Sequence, residues 1–158
     1  MREPAKLKVF VYGTLKKGQR NHEHFCRGFA SAREATVRGR LYDLPYGFPA
    51  LIIPREDVLI TGTTDYLSDA EEGHHAEAVP QEPSPAWDKV HGELFTFGDP
   101  GGRLQALDGL EGFTPGEKGL YKRVLIPAMV PTGVVVPAWT YIIESESGSY
   151  LPGGRWPV

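Results

Sequence analysis

Leu7, Val9 and Val11 alternate with Lys8, Phe10 and Tyr12 until Gly13 ends the run, and a period of two is that of a strand. Similar runs cover 36–44, 58–67, 90–97, 121–130 and 134–143. Pro127 and Pro137 mark the last two as edge, bent or bulged strands, because proline donates no ladder hydrogen bond. Asn21 reads as the cap of a short helix toward Gly28, with Glu23 favourable against the positive end of its dipole. Asp99 followed by Pro100 reads as the start of a second helix through "GGRLQALDGLEGF". On that helix Leu104, Leu107, Leu110 and Glu111 share one face, so a carboxylate stands inside an apolar stripe. The segment 69–87 is rich in Pro, Glu and Ala without sustained periodicity, and reads as an acidic excursion from the fold.

These elements predict an α+β domain: a small mixed, mainly antiparallel β-barrel with two or three flanking helices, an open sandwich being the alternative. Closure would remove the edges that so many short strands would otherwise expose. The 158 residues fit one domain, 1–158, long enough to bury a core without staples.

Charge changes the picture in one place. No Lys or Arg lies between Arg55 and Lys89, an interval holding nine acids, which leaves 11 acids against 17 basic residues, +6, on the rest of the chain. The body is mildly basic without a dense basic cluster, a balance that fits a small anionic ligand better than nucleic acid. A single cysteine, Cys26, excludes an internal disulfide and suits a reducing compartment. No apolar run approaches the roughly 20 residues of a membrane helix, and no secretory signal is recognised, so the expected setting is the cytoplasm without a membrane partner.

Candidate chemistry is sparse. "VFVYGTLKKGQRNHEHF" has the outline of a phosphate loop, but Gln19 and Arg20 stand where Lys and Ser or Thr are required. The five histidines lack zinc-like spacing, and neither metal nor cofactor is called for. Cys26 lacks a facing base and reads as a packing residue, and there is no serine elbow. Glu111 is the strongest acid or base, since burial beside leucines would raise its pKa toward the useful range; a structural helix-end carboxylate is the other reading. Asp108 reads as a partner for it or, more simply, as a solvated or capping residue. Phe10, Tyr12, Tyr121 and Tyr141 read as core or pocket wall.

Taken in order, "VFVYGTLKKGQRNHEHF", "VHGELFTF", "LDGLEGF", "GLYKRV" and "PAWTYI" resemble the γ-glutamylcyclotransferase-like family, the first stretch being similar to γ-glutamylamine cyclotransferases. The resemblance implies a small barrel with flanking helices and a substrate loop at Tyr12, Gly13, Thr14 and Leu15. It also implies a catalytic glutamate at Glu111 and a pocket bordered by Tyr121. The implied activity is cyclisation of a small γ-glutamyl amine or amide to 5-oxoproline with release of the amine. A binding module that keeps the pocket without turnover is the alternative. The chain departs from the family pattern in the length of 69–87 and in Arg155 before Trp156, where related bacterial chains often carry an acid.

Overall fold

The computed structural model describes residues 6–13, 16, 31–45, 47–63, 65–79, 86–98, 100–111, 121–144 and 148–157, the side chains of 100, 101 and 109–111 excepted. Its strands are β1 (Leu7–Val11), β2 (Ser31–Asp43), β3 (Pro49–Ile52), β4 (Ile60–Thr61), β5 (Asp88–Phe97), β6 (Lys122–Met129), β7 (Val135–Ile142) and β8 (Ser149–Leu151). Its α-helices among the described residues are α1 (Tyr66–His75) and α2 (Pro100–Glu111). The helix expected from Asn21 to Gly28 lies outside the described residues.

Five strands close a barrel in the order β2, β5, β1, β7, β6 and back to β2, the last joint being Thr36 opposite Met129. All these pairs are antiparallel except β1 with β7, where Val9 lies opposite Trp139. The sheet is therefore mixed, mainly antiparallel and closed, the expected barrel rather than a sandwich. β2 is long enough to serve two neighbourhoods: Ser31 to Gly39 pair with β5, while Leu41 to Asp43 are held between β3 and β8.

The period of two sorts the side chains into two cores. Phe10, Val37, Val90, Leu94, Val124, Ile126 and Ala138 come from all five barrel strands and form its interior. Val9, Val11, Phe95, Phe97 and Trp139 point outward, where Ala70 of α1 and Leu104 and Leu107 of α2 cover them. No helix among the described residues is long and apolar enough to cross a membrane.

Three expectations change. β6 and β7 are barrel members rather than edges, and Pro127 stands directly opposite Pro137. On its other side β6 meets β4 at Val124 and Leu125 and β2 at Met129, so Pro127 falls between those pairings, where its missing N–H is not required. The run 58–67 supplies only the two residues of β4 before the chain turns into α1. Asp65 caps that helix by accepting the Ser68 amide at 3.0 Å, and the local cap overrides the strand pattern. The acidic segment consequently does not leave the fold at Asp69: through His75 it is helix, with Asp69 and Ala70 buried.

Candidate functional site

The end of β1 carries the first part of the site. Phe10 and Tyr12 point into the barrel with their rings stacked at 6.3 Å, and the buried Tyr12 hydroxyl donates to the Tyr141 carbonyl at 2.5 Å. The chain then turns, closed by the Lys16 amide donating to the Gly13 carbonyl at 3.0 Å. A β-carbon at Gly13 would lie 2.7 Å from Cδ and Cγ of Pro49, so only glycine lets the turn rest on that ring. Tyr121 reaches the same residue from the other side, its hydroxyl donating to the Pro49 carbonyl at 2.5 Å and its ring tilted against Phe48. Gly13 and Tyr121, assigned to one pocket from sequence, thus both meet Pro49, whereas Tyr12 points into the barrel interior and Tyr121 packs with the outer cluster. Thr14 and Leu15 lie outside the described residues, as do Cys26, His22 and His24.

Helix α2 carries the second part. Leu104 and Leu107 are buried as its periodicity predicts, and so is Asp108, only 2% exposed. Asp108 is therefore neither solvated nor a cap. Its Oδ1 accepts from Arg123 Nε at 2.8 Å and from the Tyr141 hydroxyl at 2.6 Å. Its Oδ2 has no hydrogen-bond partner among the described residues. Burial pushes its carboxyl above the ordinary aspartate value, while the Tyr141 hydroxyl and the Arg123 guanidinium pull the other way. Glu111 is the last residue of α2, three positions on; its side chain lies outside the described residues.

Arg123 joins the two helices. Besides Asp108 on α2 it pairs with Asp69 on α1, Nη2 to Oδ2 at 3.0 Å, and donates to the Thr63 carbonyl at 2.8 Å. Asp69 also accepts the Thr63 amide at 2.7 Å and its hydroxyl at 2.8 Å. The Trp139 ring lies 4.9 Å from the guanidinium. Periodicity did not reveal this network, although one signal was present: Arg123 shares a strand face with Tyr121 and Leu125, and a cation on an apolar face demands a carboxylate.

A cavity of about 560 Å³ opens beside the turn on the outer face of β2 and β5, lined among others by Lys16, Glu34, Lys89, His91, Glu93 and Arg155. Burial, with Arg155 and Lys89 nearby, holds the His91 imidazole below its ordinary value. His74 and His75 serve the end of α1, His75 facing Glu71 at 3.1 Å. No group of three metal-ligating side chains occurs among the described residues.

The model of one family, gamma-glutamyl cyclotransferase, AIG2-like, matches residues 9–73 and 66–158. The chain belongs to this family. Among curated relatives, a gamma-L-glutamyl-butirosin B gamma-glutamyl cyclotransferase from Niallia circulans is 37% identical over 54 residues, 34% of this chain and 33% of that protein. The match thus spans about a third of that relative. Among solved structures, YkqA from Bacillus subtilis superposes with a TM-score of 0.57 at 17% identity, over 96% of this chain but only 39% of that one. An uncharacterized protein from Pyrococcus horikoshii gives 0.55 at 16% identity, over 95% and 89% of the two chains. An AIG2-like protein from Mus musculus gives 0.50 at 22%, over 90% and 80%. At these identities the superpositions establish the family's fold.

Proposed function

We propose that the chain is a γ-glutamyl cyclotransferase that converts the γ-glutamyl group of a γ-glutamyl amine or related amide to 5-oxoproline and releases the amine. The observation that carries this reading is the family match over nearly the whole chain. The approach of Gly13 and Tyr121 to Pro49 supports it. The reaction needs no nucleophile from the protein. The substrate's α-amine attacks its own γ-carbonyl carbon, the new C–N bond closes the five-membered ring, and the bond to the leaving amine breaks without water entering.

Two protons leave the α-ammonium as it becomes the ring N–H, and both end on the departing nitrogen, which leaves as an ammonium; Glu111 relays them, as general base toward the α-nitrogen and then as general acid toward the leaving nitrogen. Backbone N–H groups of the loop from Tyr12 to Leu15 hold the substrate carboxylate and the developing oxyanion, as a strand-to-loop turn presents donors to an anion. Folding the substrate against Tyr121 exploits intramolecular attack, whose effective molarity reaches on the order of 10⁵ M in well-oriented systems. The single cysteine is consistent with a reducing cytoplasm as the setting.

The test is incubation of the protein with a panel of γ-glutamyl amines, γ-glutamyl dipeptides and glutathione, with 5-oxoproline as the readout. Formation of 5-oxoproline from at least one member is the expected result. Binding without product from any member would make the chain a binding module instead.

A further inference from the structure

The last described residues lie against the turn rather than away from it. The Gly154 carbonyl accepts the His91 amide at 2.8 Å, and Gly154 has φ +66°, where a β-carbon would stand 2.1 Å from the Lys89 carbonyl. Only glycine brings the chain this close to β5 in that conformation. Two residues on, the indole N–H of Trp156 donates to Asp43 Oδ1 at 2.9 Å, at the end of β2. The Trp156 carbonyl accepts from Lys16 Nζ. Its ring edge faces Gly13, with Cε3 3.9 Å from where a β-carbon would be.

Trp156 therefore lies beside both ends of the Gly13 to Lys16 turn, its ring edge toward Gly13 and its carbonyl bonded to the Lys16 ammonium. Lys16 is spent on this contact at a cost: burial, with Arg155 adding to it and Glu93 opposing, holds its ammonium below the ordinary lysine value. A half-buried ammonium donating to a backbone carbonyl fixes that carbonyl through a charge-assisted bond. Asp43 fixes the other end of the residue from an exposed position.

We propose that Trp156 is a positioning residue for the Gly13 turn, with Gly154 to Pro157 forming a strap that holds the turn's backbone donors in place and Asp43 anchoring the indole. What the turn is held for rests on the cyclotransferase reading; that the strap holds it does not. Donors that stabilise a transition state must be fixed before the reaction, to within about 0.5 Å. A strap bonded to Lys16 and lying beside Gly13 supplies such restraint at these two residues.

The test compares Trp156→Phe, which keeps a ring without the N–H, Asp43→Ala, which removes the acceptor, Asp43→Asn, which keeps an acceptor oxygen, and the double variant Trp156→Phe with Asp43→Ala. Three quantities are measured: exchange of the Lys16 amide by NMR, the unfolding midpoint, and kcat/KM on the best substrate of the panel. Trp156→Phe and Asp43→Ala each speed Lys16 amide exchange and lower kcat/KM by about tenfold, the scale of one lost hydrogen bond. Asp43→Asn stays near wild type, the double variant is no worse than either single one, and the midpoint barely moves. Unchanged Lys16 exchange in both single variants overturns the proposal, as does faster exchange with kcat/KM unaltered. Should the wild type form no 5-oxoproline at all, the cyclotransferase reading fails, while the Lys16 exchange still decides whether the strap orders the turn.

Discussion

Tyr12 and Tyr141 are joined through a 2.5 Å bond from the Tyr12 hydroxyl to the Tyr141 carbonyl, and the same Tyr141 sends its own hydroxyl to Asp108 at 2.6 Å. One β7 residue thus connects the end of β1 to the interior face of α2. At about 100° per residue Asp108 lies about 40° from Leu104 on that face, and position 111 falls between Leu104 and Leu107. Tyr12, Tyr141 and Asp108 thus tie the end of β1 to α2.

Tyr141→Phe keeps the ring and the carbonyl that holds Tyr12 but removes the donor to Asp108. Because burial raises the Asp108 carboxyl in the fold, the group's contribution to stability is full below its unfolded value of about 3.9 and is lost as pH rises through the raised folded value. The Tyr141 bond opposes that rise, so deleting it pushes the folded value higher and extends the loss. The variant is expected to be destabilised by about 1.5 kcal/mol more at pH 7 than at pH 3, read from urea unfolding at the two pH values. An equal penalty at both would show that the charge of Asp108 is not what Tyr141 supports.

Asp69 decides between two pictures of the acidic segment. As part of a surface excursion, Asp69→Ala would change stability by no more than about 0.5 kcal/mol. As the buried partner of Arg123 and acceptor of two bonds from Thr63, its removal leaves a buried guanidinium short of a counter-charge, which costs about 3–5 kcal/mol. The larger loss is expected in a denaturant titration.

The barrel was legible because its strands alternate cleanly: Leu7 to Val11, 90–97 and 134–143 fall on observed strands to within two residues. Leu104 and Leu107 announced α2 in the same way. What periodicity could not supply was pairing across the chain. Asp69, Asp108 and Arg123 are distant in sequence, and each alone resembles a surface charge; only the closed barrel and its two covering helices bring them together out of water. The strand expected to run to Leu67 stopped for a related reason, because Thr63 turns its amide and hydroxyl to Asp69 and Asp65 caps a helix. Of the expected site, Tyr12, Gly13 and Tyr121 rest on the local family resemblance, and the structure adds that Gly13 and Tyr121 both lie against Pro49. The strap at Trp156 could not, since its partners Lys16 and Asp43 lie more than a hundred residues earlier.

Gly73 sets helix propensity against packing. In α1 an alanine is favoured over glycine by about 1 kcal/mol, yet a β-carbon at Gly73 would lie 2.7 Å from Trp139 Nε1 and 3.3 Å from its Cε2. Trp139 is buried, with the Arg123 guanidinium 4.9 Å from its ring, and overpacking a core contact costs about 1–3 kcal/mol. Packing is expected to win: Gly73→Ala lowers the thermal midpoint. A raised midpoint would mean that the indole moves freely.

Glu111 carries the decisive prediction. Glu111→Gln preserves size and shape but cannot take up the substrate's ammonium proton, so the protein is expected to fold and bind while turnover falls at least about 10²-fold, the lower range for a positioned general base. Asp108→Asn gives the contrast. It removes one of the two buried carboxylates that pair with Arg123, so its effect falls first on unfolding, with the smaller loss in turnover among molecules that remain folded. Comparing 5-oxoproline release by the two variants under conditions where both are folded separates a proton carrier from a structural anion. Wild-type release by Glu111→Gln would remove Glu111 from the mechanism, because a proton would then be leaving the α-ammonium by a route that does not need this carboxylate.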